Sequence, residues 1–203
     1  MPLNFFTTST EDNRANRILI LDFDGTVARP DRKENGSYDV NPDGSINASP
    51  LDQEKFRKLV QCAIDNNIPL YFVTGRPDIP GNRNILINFI KNVDGFHSGV
   101  GGFKENSLYF TSIVIDDTGV LVNREITTKA AIIEEIHITQ YPHCANNDFL
   151  FIDDIDEYLI PAAELGYRTL KANPDNLNHF NEAMSFMSEE EIKQEETPLL
   201  SVL

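Results

Sequence analysis

The chain has 203 residues, and 17 lysines and arginines against 32 aspartates and glutamates give it a formal net charge of −15 at pH 7. This length predicts one domain with a single core, and the charge argues against a groove for a nucleic-acid backbone, whose phosphates require lysine and arginine. Two cysteines are too few for a disulfide framework. With no signal-peptide pattern and no apolar run long enough to cross a bilayer, we predict a cytoplasmic protein that meets membranes only through regions outside this chain.

The first half of the chain predicts two buried strands with a flap and a helix between them. Ile18–Leu21 is wholly apolar, which is typical of a buried strand in a parallel sheet. Residues 28–49 are rich in Asp, Asn, Pro, Gly and Ser, and they predict an ordered loop or flap. A helix capped by Ser49, with Pro50 in its first turn, follows the flap. Ile68–Val73 is the second apolar strand.

The middle of the chain predicts a helix, a loop, a hairpin and a further helix. Apolar residues at helical spacing mark a helix over about 82–92, and four glycines mark a loop over 94–107. The segments Leu108–Ile115 and Val120–Val122 flank a turn-rich tetrad, which indicates a β-hairpin. The next helix is predicted over about 127–139.

The last part of the chain continues the alternation of strands and helices. Phe149–Ile152 is a third buried strand, followed by a helix to Leu165 and a short strand over Arg168–Lys171. A final helix is predicted over 173–187. This alternation predicts an α/β fold with a doubly wound, Rossmann-like parallel sheet, in which the β-hairpin is a small insertion.

The composition divides the chain into three parts. Residues 1–15 are polar and predict an irregular lead-in. Residues 16–187 hold all the predicted strands and helices and form the folded domain. Residues 188–203 are rich in glutamate and predict an acidic tail or a linker.

Polar side chains follow three of the predicted strands, at the edge of the sheet where ligands bind in such folds. A lysine at the start of the third predicted helix lies at the same edge. The residues concerned are Asp22, Asp24, Thr74, Lys129, Asp153 and Asp154. Four carboxylates repel one another unless a cation lies among them. Because all these ligands are oxygens, the cation that they favour is Mg²⁺.

The order of these residues resembles the four motifs of the haloacid dehalogenase (HAD) superfamily. The resemblance covers about residues 17–171, and the first motif, in which all six positions match, is its most specific part. The matching segments are Asp22-Phe23-Asp24-Gly25-Thr26-Val27, Thr74-Gly75-Arg76, Lys129 and Asp153-Asp154. The resemblance implies that residues 16–187 form a HAD-like phosphatase domain.

The resemblance also implies a role for each matching residue. Asp22 would be the nucleophile that attacks phosphorus and becomes an aspartyl phosphate. Asp24 would protonate the leaving oxygen and then activate water. Thr74 and Lys129 would hold the oxygens of the transferring phosphoryl group and offset their charge.

The resemblance implies a Mg²⁺ site built from the same carboxylates. Its ligands would be Asp22, the backbone carbonyl of Asp24 and one member of the Asp153-Asp154 pair. We favour Asp154 as the direct ligand, with Asp153 orienting it or the nearby lysine.

The segment Thr74-Gly75-Arg76 is the predicted substrate-binding part of the site. Gly75 and Arg76 follow the phosphate-binding threonine, and Arg76 is interpreted as a structural or rim contact more readily than as a catalytic group. Capless HAD branches that act on proteins or on nucleic-acid ends have a similar segment. Lys104 is a competitor of Lys129 for the phosphate, but its predicted place is a loop before the hairpin.

A substrate-covering cap has little room in this chain. Residues 28–49 are too few and too rich in turn formers for a helical cap, and residues 75–128 must also supply a core helix and a strand. The sequence therefore predicts a capless, C0-like enzyme with a minimal cap and an open site. Open sites suit bulky substrates such as a phosphorylated protein side chain.

These observations predict a Mg²⁺-dependent phosphomonoester hydrolase, of the kind that acts on phosphotyrosine or phosphoserine in a protein or peptide. Asp24 favours phosphoryl chemistry because dehalogenases of the superfamily lack this second acid. The alternatives are a phosphoryl-accepting signalling or binding module, and a HAD phosphatase of small metabolites or nucleic-acid ends. The frequent asparagine and isoleucine fit an AT-rich bacterial genome, and export of such a protein into a host cell stays open.

Overall fold

The computed structural model describes residues 16–114, 123–125 and 127–188. The described residues form strands and helices in alternation. The strands are β1 (Ile18–Leu21), β2 (Ala28–Pro30), β3 (Ala48–Pro50), β4 (Pro69–Pro77), β5 (Gly102–Val114), β6 (Asn123–Glu125), β7 (Phe149–Asp153) and β8 (Arg168–Lys171). The helices are α1 (Gln53–Asp65), α2 (Pro80–Lys91), α3 (Lys129–Gln140), α4 (Asp156–Glu164) and α5 (Asn178–Ser188).

Six strands form one sheet in the order β6-β5-β4-β1-β7-β8. The neighbouring pairs β5-β4, β4-β1, β1-β7 and β7-β8 are all parallel, whereas β6 pairs antiparallel with β5 at one edge of the sheet. The predicted doubly wound α/β sheet with a small hairpin is therefore confirmed. The predicted turn of that hairpin, the lead-in over 1–15 and the tail from residue 189 onward lie outside the described residues, and the division into domains stays a prediction.

The central strand β1 is apolar on both faces because helices cover both faces of the sheet. Leu19 and Leu21 point into one hydrophobic cluster with the aromatic rings of α1, β4 and α5. Ile18 and Ile20 point into a second cluster with residues of α3, β7 and α4. Each fully buried side chain of this size contributes about 1.5–3 kcal/mol, so the position of β1 and of its carboxyl end is strongly fixed.

The first helix starts later than its sequence predicts, so the assignment of Ser49 as its N-cap is wrong. Ser49 and Pro50 belong to β3, where they pair with β2, and strand pairing has displaced the capping role. The cap of α1 is Asp52, whose side chain accepts a hydrogen bond from the backbone N–H of Lys55 at 2.9 Å. Asp52 suits this position because a carboxylate satisfies a free N–H of the first turn.

Two further boundaries differ from the sequence prediction. The last helix begins at Asn178, because the Asn173 side chain accepts a hydrogen bond from the N–H of Asp175 and forms a local turn instead. Gly102–Val114 is a single strand, so part of the predicted loop over 94–107 pairs with β4. Gly101, just before this strand, allows the chain to approach the backbone of α1, because a Cβ there would lie 2.5 Å from the carbonyl oxygen of Ala63.

The segment between β1 and α1 forms a flap, as predicted. Strands β2 and β3 pair antiparallel at its base, and isolated bridges join Arg32 to Tyr38 and Val40 to Ile46 further out. Residues 28–50, which we call the flap, contain no helix. Within the described part of the chain, no helix has both the length and the apolar character that crossing a bilayer requires.

Candidate active site

The site begins at the carboxyl end of β1, where the chain turns at Phe23. The backbone N–H of Asp22 donates to the carbonyl of Ile152 in β7 at 2.8 Å, which fixes the start of the turn. Gly25 has a φ of +78°, a backbone conformation that glycine adopts without strain. A Cβ at this position would lie 2.2 Å from Oδ2 of Asp154, so the glycine also gives room for that carboxylate.

Lys129 joins two buried carboxylates at the bottom of the site. Its Nζ lies 2.6 Å from Oδ1 of Asp22 and 2.6 Å from Oδ2 of Asp153. The lysine side chain is only 2% exposed, and it lies 4.2 Å from the centre of the Tyr158 ring. Thr128 caps α3 with its side chain and so holds Lys129 in the first turn. The predicted convergence of lysine and acids at this sheet edge is what the geometry shows.

The three carboxylates Asp22, Asp153 and Asp154 form a compact oxygen cluster. One oxygen of each lies within 4.8 Å of the others. Both oxygens of Asp153 already accept hydrogen bonds, from Lys129 and from the N–H of Ile155 at 2.9 Å. Asp154 is half-buried and lines the cleft. An all-oxygen set of this size fits Mg²⁺, and its geometry favours Asp154 over Asp153 as a ligand.

The electrostatics of the cluster also favour a cation. Burial raises the pKa of Asp22 to about 7, although Lys129 opposes this shift. Burial, followed by the charge of Asp153, raises the pKa of Asp154. The two carboxylates raise the pKa of Lys129 against the opposing effect of its burial, so the ammonium stays protonated. A divalent cation beside these oxygens would favour the ionised form of the acids.

The side chain of Asp24 lies apart from this cluster because Arg76 holds it. Nε of Arg76 donates to Oδ2 of Asp24 at 2.7 Å, and Nη2 donates to Oδ1 at 2.8 Å. The Asp24 carboxylate is therefore not part of the oxygen cluster, and its predicted contribution to a metal site is limited to its backbone carbonyl. No sequence pattern indicates this pairing, because the two residues are 52 positions apart.

Thr74 and Gly75 lie on the wall of the site, in β4. Thr74 is buried, and its Oγ1 accepts a hydrogen bond from the backbone N–H of Arg76 at 3.2 Å. A Cβ added at Gly75 would lie 3.9 Å from the hydroxyl oxygen of Tyr158, which is an ordinary van der Waals contact. Both residues line the cleft together with Arg76, so the predicted segment does reach the site.

A cleft of about 820 Å³ lies above these residues. The flap and the start of α4 form much of its wall. The lining residues outside the predicted motifs include Arg29, Arg32, Tyr38, Ile46, Tyr158 and Asp175. Sequence reasoning missed these residues, although Tyr158 follows Asp154 by one helical turn, which is a usable signal.

Lys104, the competitor of Lys129 for the phosphate, and the thiol of Cys144 both lie elsewhere. Lys104 is on β5, where its Nζ donates to the carbonyls of Gly99 and Gly101; it does not line the cleft and cannot replace Lys129. Burial raises the pKa of the Cys144 thiol to about 11, and this residue also lies outside the cleft. A cysteine nucleophile requires a lowered pKa, so Cys144 has no such role here.

Neither a protein-family model nor a curated protein matches the chain. Solved structures do resemble it. An uncharacterized protein from Corynebacterium glutamicum ATCC 13032 Kitasato gives a TM-score of 0.50 at 17% identity, over 87% of this chain and 98% of that one. The HAD domain of the effector protein Lem4 from Legionella pneumophila gives a TM-score of 0.47 at 13% identity, over 87% and 98%. A hypothetical protein from Xanthomonas campestris gives 0.46 at 14% identity, over 92% and 91%.

The first of these likenesses shows a shared fold over most of both chains. That shared fold is a doubly wound α/β fold with the strand order β6-β5-β4-β1-β7-β8. On it, the residues that resemble the haloacid dehalogenase motifs converge at the carboxyl ends of β1, β4 and β7. At these identities the likeness concerns the fold alone, and the chemistry has to be argued from the residues of the site.

Proposed function

We propose that this HAD-like protein is a Mg²⁺-dependent phosphomonoester hydrolase that works through an aspartyl-phosphate intermediate. The observation that supports this most is the placement of Asp22 at the bottom of the cleft, between a buried ammonium and two further carboxylates. A phosphoryl group is negatively charged, so it needs cationic groups such as this ammonium in order to approach an anionic nucleophile.

The residues of the cleft have separate parts in the first displacement. Lys129 occupies one oxygen of Asp22, which leaves Oδ2 to attack phosphorus. An ammonium has three donors, and two of those of Lys129 bind Asp22 and Asp153, so the third is available for a phosphoryl oxygen. Thr74, which also lines the cleft, contributes its hydroxyl. Asp24 gives a proton to the leaving oxygen as the P–O bond breaks.

The second displacement uses the same residues in reverse roles. Asp24, now a carboxylate, takes a proton from a water molecule that attacks the phosphorus of the aspartyl phosphate. The bond between phosphorus and Asp22 then breaks, and the carboxylate is restored while inorganic phosphate leaves. One acid thus serves both steps, which separates this site from one that only stores a phosphoryl group.

The residues that would hold Mg²⁺ are Asp22, Asp154 and the backbone carbonyl of Asp24. When bound, the cation would supply charge neutralisation for the phosphoryl oxygens. Asp153 would orient Lys129 rather than bind the metal, because both of its oxygens already accept hydrogen bonds.

The proposed substrate is a phosphorylated side chain of a protein, phosphotyrosine or phosphoserine. The support is the cleft, whose wall in the described part of the chain includes a short flap, which suits the proposed capless type. The flap places Tyr38, which is about half exposed, and two arginines at its wall. These side chains suit contact with the peptide around a phosphorylated residue, while the overall charge of −15 makes a nucleic-acid substrate less favourable.

The test is a panel of phosphomonoesters assayed with Mg²⁺ and with chelator. It contains p-nitrophenyl phosphate, phosphotyrosine and phosphoserine peptides, sugar phosphates and nucleotides. We expect hydrolysis that depends on Mg²⁺ and that is fastest with a phosphopeptide. Equal activity in chelator would contradict the metal dependence, and faster turnover of sugar phosphates would contradict the protein substrate. A phosphoenzyme that persists for minutes would instead indicate a phosphoryl-accepting module.

A further inference from the structure

We propose that Arg76 is a positioning residue, which holds the Asp24 carboxylate in place for proton transfer and couples it to the flap. This inference rests on the proposed hydrolase function, and it changes the role predicted for Arg76 from substrate binding to orientation of the acid-base group. No sequence motif predicts this role, because the contacts that define it join three separate segments of the chain.

The contact between Arg76 and Asp24 is a bidentate pair with both hydrogen bonds well formed. Its two distances are 2.7 and 2.8 Å. The arginine side chain is 2% exposed, whereas that of Asp24 is 28% exposed and faces the cleft wall. Two parallel bonds from a planar guanidinium fix both the position and the plane of a carboxylate. The buried partner therefore determines where the accessible partner points.

The other end of the guanidinium contacts the flap. Nη1 of Arg76 donates to the backbone carbonyl of Ile46 and approaches Oδ1 of Asn82 at 3.5 Å. The same Asn82 oxygen accepts the N–H of Ile46 at 3.2 Å, and its Nδ2 donates to the carbonyl of Pro77 at 2.9 Å. Asn82 is fully buried. The inner part of the flap is thus fastened to the group that orients Asp24.

These contacts leave Arg76 poorly suited to bind a phosphate. Four hydrogen bonds to Asp24, Ile46 and Asn82 engage its five N–H donors almost completely. The guanidinium carbon also lies 4.8 Å from the centre of the Phe23 ring, which packs it against the core. A substrate phosphate would have to break buried bonds to reach this side chain. Lys129 retains a free donor and is the better phosphate contact.

The two roles make different kinetic predictions. A misplaced Asp24 gives its proton less well, and this matters most when the leaving group is a poor one. Phenyl phosphate and p-nitrophenyl phosphate have nearly the same shape, but nitrophenolate leaves without protonation much more easily than phenolate. Loss of the positioning contact should therefore slow phenyl phosphate selectively. Loss of a phosphate contact should slow both substrates alike and raise KM for both.

The experiment measures kcat and KM for both substrates in wild type, Arg76→Lys and Asp24→Asn, with Mg²⁺ present. Arg83→Lys is the matched control, since Arg83 makes a similar two-bond contact with Asp78 but is exposed and lies outside the cleft. We expect the ratio of kcat/KM for p-nitrophenyl phosphate to that for phenyl phosphate to rise at least about tenfold in the first two variants and to stay constant in the control. Equal losses on both substrates, or no loss, would overturn the role.

Asn82→Ala keeps the test decisive if Arg76→Lys does not fold, because it leaves the Asp24 contact in place and removes the buried link to Ile46. We expect the same selective effect, of about threefold, for this variant. A uniform loss on both substrates would overturn the coupling to the flap. Absence of turnover by wild type on both substrates would instead overturn the proposed hydrolase and this inference with it.

Discussion

The floor of the cleft and the flap that walls it are built in opposite ways. Asp22, Lys129 and Asp153 at the floor are at most 5% exposed. The central strands β1 and β7 hold the two acids, and the first turn of α3 holds the lysine. In the flap, Tyr38 and Val40 are nearly half exposed, and many of its hydrogen bonds join residues only two to six positions apart. Groups that must keep their geometry for chemistry are thus on rigid elements, whereas groups that meet the variable part of a substrate are on an exposed one.

Substitution of Asp22, the proposed nucleophile at the floor, should have the largest effect on activity. In Asp22→Asn, the near-isosteric amide cannot form the aspartyl phosphate, so hydrolysis of p-nitrophenyl phosphate should fall by more than about 1000-fold. The melting temperature should not fall, because a neutral amide does not carry the free-energy cost of burying an ionised carboxylate. Asp156→Asn, an exposed acid on α4, is the control and should retain activity. Full activity of Asp22→Asn would contradict the mechanism.

Removal of the buried ammonium should cost stability as well as activity. Lys129→Met leaves Asp22 and Asp153 without their shared partner, and the loss of one member of a buried ion pair typically costs about 3–5 kcal/mol. We expect a reduction of the free energy of unfolding of about 3 kcal/mol, measured by urea denaturation at pH 7. Lys91→Met, at the exposed end of α2, should change it little. If both variants unfold at the same urea concentration, the floor is less tightly built than its geometry indicates.

A flap substitution should affect the choice of substrate without affecting the chemistry. Tyr38 lines the cleft, and the centre of its ring lies 4.4 Å from the guanidinium carbon of Arg32. Tyr38→Ala should lower kcat/KM for a phosphotyrosine peptide by about 3- to 10-fold, which corresponds to the loss of a modest aromatic contact. Hydrolysis of p-nitrophenyl phosphate should not change. Val40→Ala, in the flap but outside the cleft, is the control; parallel losses on both substrates would show that the flap supports the floor.

The smallest effect concerns a buried histidine behind the first motif. The Nε2–H of His179 donates to the carbonyl of Thr26 at 2.9 Å, and its Nδ1 accepts the N–H of Asn173 at 3.3 Å. Burial lowers the pKa of His179, with Lys55 adding to this and the Thr26 carbonyl and Glu182 opposing it. The unfolded chain therefore binds this proton more readily, and stability should decline as the pH falls from about 6.5 toward the lowered value of the folded state.

His179→Gln tests this contribution, because a glutamine amide can replace both hydrogen bonds and does not titrate. The free energy of unfolding of the variant, measured from pH 7.5 to 5, should depend less on pH than that of wild type. His143→Gln, at an exposed position, should keep the wild-type dependence. An identical pH profile for wild type and His179→Gln would show that His179 is not the group responsible.

The sequence was most informative where a side chain's role follows from its neighbours in the chain. The apolar run before Asp22 predicts a buried strand, and a parallel sheet brings the ends of such strands to one edge. The same logic places Thr74 and the acids that follow β7. The start of α1 was mispredicted because Ser49 is a good cap locally, whereas its pairing with β2 depends on residues twenty positions away.

The order of the amino acids is enough to predict the fold class and the edge of the sheet at which the polar residues gather, since strand periodicity and motif order are local properties. Which of those residues touch depends on how the elements pack in three dimensions. The tertiary structure shows that Lys129 binds Asp22 and Asp153 together, that Arg76 holds Asp24, and that the flap walls the cleft. Such contacts depend on distances across the sheet of a few ångströms, and residue spacing along a chain does not specify them.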